Sequence, residues 1–275
     1  VSPTRAQTAA LLEAAGLAPK RKFGQNFVTD ANITAKIVRL AGVSSGERVI
    51  EVGPGVGALT EALLAVGARV RALEIDSGLV ALLKERSELE AAEIIEGDAL
   101  EIDLEALAPR QDAPWSMVAN LPYNVATPLV LRVLEEAPQI ARLLVMVQAE
   151  VGERMAAGPG DEAYGAVSLR VAYHSVASVV GRVPASVFHP RPKVESALVA
   201  LVRREKPLID PSVATENEIF TLVRVGFGQR RKMLRRSLAG LVDDAVFEAA
   251  GVAPTARPEE LGVAEFAALA HARRS

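Results

Sequence analysis

Between residues 31 and 148 the sequence alternates between two periodicities. "ERVIEVG", "RVRALEID", "AEIIEGD", "WSMVANLP" and "ARLLVMVQAE" are short apolar runs of strand length. "ANITAKIVRLAGV", "ALTEALLAVG", "SGLVALLKERSEL" and "TPLVLRVLEEA" carry apolar residues at helical spacing. Strands that alternate with helices point to an α/β fold, a parallel sheet covered on both faces. After about residue 205 the strands stop, and "ENEIFTLVRVGFGQRRKMLRRSLAGL", "DAVFEAAG" and "PEELGVAEFAALAHARR" all read as helical. The expected organisation is a helical segment with a basic linker, "PKRKFGQNF", over 1–30, an α/β domain over 31–204 and a small helical domain over 205–275. A chain of 275 residues, half of them hydrophobic, suffices for one large and one smaller core.

Several function classes drop out. The lack of Cys excludes disulfides, thiolate nucleophiles and Cys-ligated zinc, and fits a cytoplasmic location. His174, His189 and His271 are scattered without metal-ligand spacing, so no metal is expected. No apolar stretch is long enough to span a bilayer, and the start lacks the apolar run of a signal peptide; neither a membrane nor a leader is expected. Charge is uneven. Arg182 to Gly240 holds 12 Lys and Arg against 5 Asp and Glu, a local +7 in a chain of net charge −3, which leaves −10 elsewhere. Such asymmetry suits a basic face that attracts phosphate backbones, although a solvated helical face gives the same count.

The turn "VIEVGPGVGALT" (49–60) ends one strand and opens a helix. Gly53, Gly55 and Gly57 permit a tight turn and close approach of a ligand. The spacing is G-x-G-x-G rather than the dinucleotide G-x-G-x-x-G, and Pro54 removes a backbone N–H that a pyrophosphate could use. With the Glu51 carboxylate just before the turn, these features favour a cofactor without phosphates, and S-adenosylmethionine fits. Glu74, at the end of the next strand, is placed to accept hydrogen bonds from both ribose hydroxyls. Asp98, after the third, is placed to accept from an adenine amino group. Either residue alone could be a surface charge or a helix cap. Together with the turn they mark the C-terminal ends of three successive strands, where open α/β sheets bind ligands.

"NLPYN" (120–124) ends the fourth strand. By itself it reads as a turn. Beside a cofactor site its chemistry suits an exocyclic adenine amine, a poor nucleophile whose lone pair is delocalised into the ring. The Asn120 side-chain carbonyl and the Leu121 backbone carbonyl could accept the two amine hydrogens. Pro122 would set the turn, and Tyr123 would stack on the base for about 1–3 kcal/mol. The work is positioning and oriented dipoles, on a base that is unpaired or flipped out. "VPASVFHPRPKVESALV" (183–199) is the expected second wall, its Phe188 either closing over the other face of the adenine or lying in the core.

Taken together, "KFGQNFVTD", "EVGPGVGALT", "LEID", "GDAL", "NLPYN", "VQAEVGERM", "YGAVSLRV", "VFHPRPKVESALV" and "FGQRRKMLRRSL" resemble, in order and spacing, the small-subunit ribosomal RNA adenine N6,N6-dimethyltransferases of the KsgA type. The resemblance covers roughly residues 20–270. Two departures are Val28, where Leu is usual, and Ala166, where a basic residue is common. It implies a class I S-adenosylmethionine-dependent methyltransferase fold, Rossmann-like, with a small C-terminal helical domain. It places Asn26, Val28, Gly53, Gly55, Glu74, Asp98 and Asn120 at the cofactor, and Asn120, Leu121, Tyr123 and Phe188 at the target adenine. A C-terminal basic helix would contact RNA through Arg230, Arg231, Lys232, Arg235 and Arg236. The implied substrate is a pair of adjacent adenosines in a hairpin near the 3′ end of 16S rRNA, within the 30S particle or its precursor, and the enzyme is expected to be monomeric. Three alternatives stand beside this reading: an Erm-type methyltransferase of large-subunit rRNA, a non-catalytic RNA-binding or assembly factor, and a nucleotide-dependent dehydrogenase. The intact glycine turn and NLPYN weigh against the last two.

Overall fold

The computed structural model describes residues 3–274; residues 1 and 2, at the start of the expected N-terminal segment, and residue 275 lie outside them. In chain order the elements are α1 (Arg5–Ala14), β1 (Phe27–Val28), α2 (Ala31–Ala41), β2 (Arg48–Val52), α3 (Ala58–Ala65), β3 (Arg69–Glu74), α4 (Ser77–Glu85), β4 (Glu93–Glu96), α5 (Leu104–Leu107), β5 (Trp115–Asn120), α6 (Ala126–Glu136), β6 (Ile140–Gln148), α7 (Ala149–Ala156), α8 (Ala166–His174), β7 (Ser175–Val183), β8 (Phe188–His189), β9 (Ser196–Arg203), α9 (Glu216–Gly228), α10 (Leu234–Ser237), α11 (Asp244–Ala250) and α12 (Val263–Ala272). They form two compact units: residues 1–152 with 178–203, and 153–177 with 204–275.

The first unit is built on the sheet, ordered β4-β3-β2-β5-β6-β9-β7. The pairs β4–β3, β3–β2, β2–β5 and β5–β6 are parallel, as the alternation predicts. β9 is not: it runs antiparallel to β6, from Arg142 opposite Val202 to Gln148 opposite Ser196. The segment "VPASVFHPRPKVESALV", expected as a whole to be the second wall, therefore ends in this strand, from Ser196 onward. Apolar side chains of α2 and α3 (Ile37, Val38, Leu59, Leu63) pack with Val49, Val70, Val118 and Leu144 of the sheet into one core. These strands are apolar at successive positions because helices bury both faces. α2 starts where the Asp30 carboxylate accepts from the Asn32 N–H at 2.8 Å and stops at left-handed Gly42.

The second unit has its own core, in which Tyr164, Leu169 and Tyr173 are buried with Ile219, Phe220, Leu234, Phe247 and Phe266. The Tyr164 hydroxyl donates to the Leu261 carbonyl at 2.8 Å. This corrects the expected single boundary at 204–205. Residues 153–177 fold with the C-terminal helices, because their aromatic side chains complete that core.

The stretch expected to be one basic helix is also broken. α9 ends at Gly228, residues 229–233 form a turn, and α10 is four residues long. Two glycines near the end of α9, Gly226 and Gly228, weaken the helix there. The Leu234 and Arg235 N–H groups then donate to the Ala256 and Pro254 carbonyls at 2.8 and 3.0 Å instead of to their own helix. That redirection buries Leu234 and Leu238 completely while Arg231, Lys232, Arg235 and Arg236 remain exposed. Among the described residues no helix is long and apolar enough to cross a membrane.

Candidate active site

Strand order in the first unit reverses between β2 and β5, and the C-terminal ends of β2, β3, β4 and β5 surround a cavity of about 310 Å³. That crevice is where an open parallel sheet leaves room for a ligand. Asn26, Val28, Gly53, Gly55, Glu74, Asp98, Asn120, Leu121 and Tyr123 all line it. Nine expected site residues drawn from five separate stretches of sequence thus share one wall.

The glycine turn is held from two sides. Gly53 donates to the Leu73 carbonyl at 2.9 Å. Gly55 has φ +61° and donates its N–H to Glu74 Oε2 at 3.2 Å. A Cβ on Gly55 would lie 2.7 Å from the Phe27 ring, so only glycine lets that ring pack against the turn. The other Glu74 oxygen accepts from the Asp76 N–H at 3.0 Å. Burial pushes the Glu74 carboxyl above its ordinary value, against the opposing pull of these N–H donors.

Glu51 lies beneath the turn with 1% exposure, and Thr60 donates its hydroxyl to Oε2 at 2.6 Å. Burial raises its pKa to about 8; the Thr60 hydrogen bond opposes that rise and the neighbouring Glu74 charge adds to it. Asp76, also buried, behaves oppositely. Burial raises it, but hydrogen bonds from Lys20, Gln25 and the Gly78 N–H outweigh burial and hold it below the ordinary carboxylate range. Lys20 Nζ approaches one Asp76 oxygen at 2.7 Å and Gln25 Nε2 the other at 2.9 Å. The Lys20 N–H in turn donates to the Gln25 side chain at 2.7 Å. Segment 20–26 is tied in this way to the strand end that carries Glu74. Asp98 accepts from the Leu100 N–H through Oδ1 at 2.8 Å, a local turn that fixes the carboxylate at the cavity.

At the end of β5 the Asn120 amide nitrogen donates to the Asn26 carbonyl at 3.0 Å. A carbonyl can only accept, so this bond settles the amide orientation and turns the Asn120 oxygen away from Asn26. Leu121 donates its N–H to the Met146 carbonyl at 3.1 Å, while no donor among the described residues reaches its own carbonyl. The Tyr123 hydroxyl is hydrogen-bonded to the Ser196 hydroxyl at 2.7 Å.

Phe188 does not line the cavity. It has no exposed surface and sits in the sheet core among Val28, Val183 and Leu198, with β8 paired antiparallel to β1 and Val28 opposite Phe188. Of the two roles expected for this ring, the structure selects the core. Burying a Phe side chain stabilises the fold by about 1.5–3 kcal/mol, and a stacking ring would have to forgo that in the free protein. In the second unit, Arg230, exposed like its neighbours, differs from them in having partners: it pairs with Glu259 at 2.6 Å and donates to the Glu162 carbonyl at 3.0 Å.

Sequence reading did not single out Lys20, Gln25, Thr60, Asp76 or Ser196. Asp76 carried one usable signal: an Asp directly before the helical "SGLVALLKE", the position of an N-cap. Lys20, Gln25 and Ser196 owe their roles to partners distant in sequence, and Thr60 to Glu51 nine residues before it on the other side of the glycine turn.

The donor set around the cavity is selective. The Glu74 and Asp98 carboxylates at the cavity disfavour a phosphate, whereas a cation and hydroxyl donors suit them, and Glu51, which holds its proton up to a pKa of about 8, adds no charge at neutral pH. Comparison with known proteins agrees. The family model "Ribosomal RNA adenine dimethylase" matches residues 16–272. The chain is 46% identical over 270 residues to a ribosomal RNA small subunit methyltransferase A of Leifsonia xyli subsp. xyli, covering 94% of each chain. Among solved structures, a dimethyladenosine transferase from Plasmodium falciparum superposes with TM-score 0.74 at 26% identity over 88% of this chain and 95% of that one. The 23S rRNA methyltransferase ErmE gives TM-score 0.71 at 25% identity over 90% and 100%. With its sheet order, its glycine turn and NLPYN on one cavity, the chain belongs to the ribosomal RNA adenine dimethylase family.

Proposed function

We propose that this protein dimethylates N6 of two adjacent adenosines in a hairpin near the 3′ end of 16S rRNA, in the 30S particle or its precursor. The observation that carries the chemistry is the Asn120–Asn26 hydrogen bond, which leaves the Asn120 oxygen and the Leu121 carbonyl as paired acceptors beside the cavity. Those acceptors take the two hydrogens of an adenine N6 and draw its geometry towards tetrahedral. The amine grows acidic as it is alkylated, so no strong general base is required, and positioning with fixed dipoles supplies most of the rate. Tyr123 offers a ring to the base.

S-adenosylmethionine supplies an electrophilic methyl group on a sulfonium. The cavity fits it: Glu74 is placed for ribose hydroxyls, Asp98 for the adenine amine, the Gly53–Gly55 turn for close backbone approach, and Asn26 and Val28 for the near wall. Arg231, Lys232, Arg235 and Arg236 in the second unit form the exposed cluster for RNA phosphates. A location in the cytoplasm, where ribosomes are assembled, goes with this substrate, and a single copy of the chain carries every residue named.

High identity to small-subunit enzymes over nearly the whole length favours the 16S substrate over a large-subunit one. The test is incubation with labelled S-adenosylmethionine and, separately, under-methylated 30S and 50S subunits, followed by mapping of the modified base. N6,N6-dimethyladenosine in the 3′-terminal hairpin of 16S rRNA is expected. Label confined to 50S RNA would move the assignment to the large subunit.

A further inference from the structure

The correction at Phe188 leaves the 188–196 segment without the role the sequence suggested. Phe188 is core, yet eight residues later Ser196 reaches the site through Tyr123. Tyr123 sits on the turn after β5 and is half-buried, so without a tether its ring could swing about two side-chain torsions. Ser196 is unlike it in every respect. It is the first residue of β9, has no exposed surface, and is locked in register opposite Gln148 of β6. The next backbone bond, from the Ala149 N–H to the Glu195 carbonyl at 3.0 Å, fixes the entry to that strand.

We infer that Ser196 is a positioning residue for methyl transfer: its hydroxyl holds the Tyr123 ring at the tilt on which the target adenine stacks. The tether grips the edge of the ring at its hydroxyl, which leaves a face of the ring for the base. Burial keeps the phenol above its ordinary pKa, against the lowering effect of the Ser196 hydrogen bond, so the hydroxyl retains its proton at working pH. The antiparallel β9 thus serves the reaction although it lies outside the parallel half of the sheet that carries the cofactor motifs. This inference rests on the adenine-stacking role proposed for Tyr123.

Four variants separate the possibilities: Ser196→Ala, Ser196→Thr, Tyr123→Phe and Tyr123→Ala. Ser196→Ala and Tyr123→Phe remove the same bond from opposite ends. Each is expected to lower kcat about three- to tenfold, in line with the loss of one buried hydrogen bond, and the double variant Ser196→Ala/Tyr123→Phe to be no worse than either. Ser196→Thr, which keeps a hydroxyl, is expected to recover most of the loss. Cofactor affinity measured by calorimetry should be the same in all of them. A second readout uses target RNA with 2-aminopurine at the methylated position: quenching by the ring should weaken in Ser196→Ala and return in Ser196→Thr. If Tyr123→Ala is inactive while Ser196→Ala and Tyr123→Phe keep full rate and quenching, the positioning role is overturned and the stacking role survives. If Tyr123→Ala is itself fully active, both fall. Additive losses in the double variant would also overturn the inference, since Ser196 would then act on something other than Tyr123.

Discussion

The Asn120 side chain donates to the backbone carbonyl of Asn26 at 3.0 Å, across 94 residues of sequence. One bond therefore does two things: it closes segment 20–28 against the end of β5, and it presents the amide oxygen rather than the amide nitrogen to a substrate amine.

Replacing Asn120 by Ala removes an acceptor without touching a phosphate contact. Turnover is expected to fall by roughly 10²–10³, the usual scale for losing one preorganised hydrogen-bonding group at a reacting centre. RNA affinity by fluorescence anisotropy should be unaltered. An Asn120→Ala enzyme with normal turnover would refute the acceptor role.

Glu74→Ala should instead show itself in cofactor binding, with affinity lowered roughly tenfold or more, because a charged hydrogen-bonding group is removed. Isothermal titration with S-adenosylhomocysteine measures this directly. Undiminished affinity would mean that the carboxylate serves only the Gly55 and Asp76 N–H groups that it already holds.

Asp76 is the knot that ties segment 20–26 to the site. Asp76→Ala should release Lys20 and Gln25 together. Faster hydrogen exchange of the amides in 20–26, with the sheet strands still protected, is the expected signature. Exchange unchanged in that segment would show that Phe27, packed on Gly55, holds it without help.

Glu51 links stability to pH with an unusual sign for a carboxylate. Its pKa rises from 4.5 in the unfolded chain to about 8 in the folded one, so between those values the folded chain holds a proton that the unfolded chain has released. Its contribution is complete below pH 4.5 and is lost as pH climbs towards 8. Glu51→Gln should flatten the decline of unfolding free energy over that interval, as read from urea titrations at a series of pH values. Parallel curves for the two proteins would show that Glu51 is ionised in the fold.

The basic cluster of the second unit makes a salt-dependent prediction. Each lost phosphate contact lowers the slope of log affinity against log salt by about one, so Arg235→Ala/Arg236→Ala should lower it by about two. Arg230→Ala should leave the slope alone, since that side chain is spent on Glu259 and the Glu162 carbonyl. Equal effects from both would put Arg230 back among the RNA contacts.

Local pattern was enough for the first half of the molecule. The runs ending at Val52, Glu74, Glu96 and Asn120 are strands, the segments between them are helices, and the carboxylates and glycines at their ends line one cavity. This holds because parallel strands joined by crossover helices must all end on the same edge of the sheet, so a residue's place at a strand end already sets its place in space. That logic does not reach β9, whose antiparallel direction depends on which edge of β6 is open. Nor does it reach residues 153–177, whose affiliation depends on where Tyr164 and Tyr173 find an apolar partner. The break at Gly228 was equally invisible, and the sequence left Phe188 open between the core and the site, because each is settled by competition for buried surface between elements far apart in the chain. The sequence by itself determined the sheet edge, the chemistry gathered on it and the family. Only the tertiary structure decided which carboxylate is neutral, which end of the Asn120 amide faces the cavity and which residue holds the Tyr123 ring, because burial and hydrogen-bond direction exist only once distant groups have met.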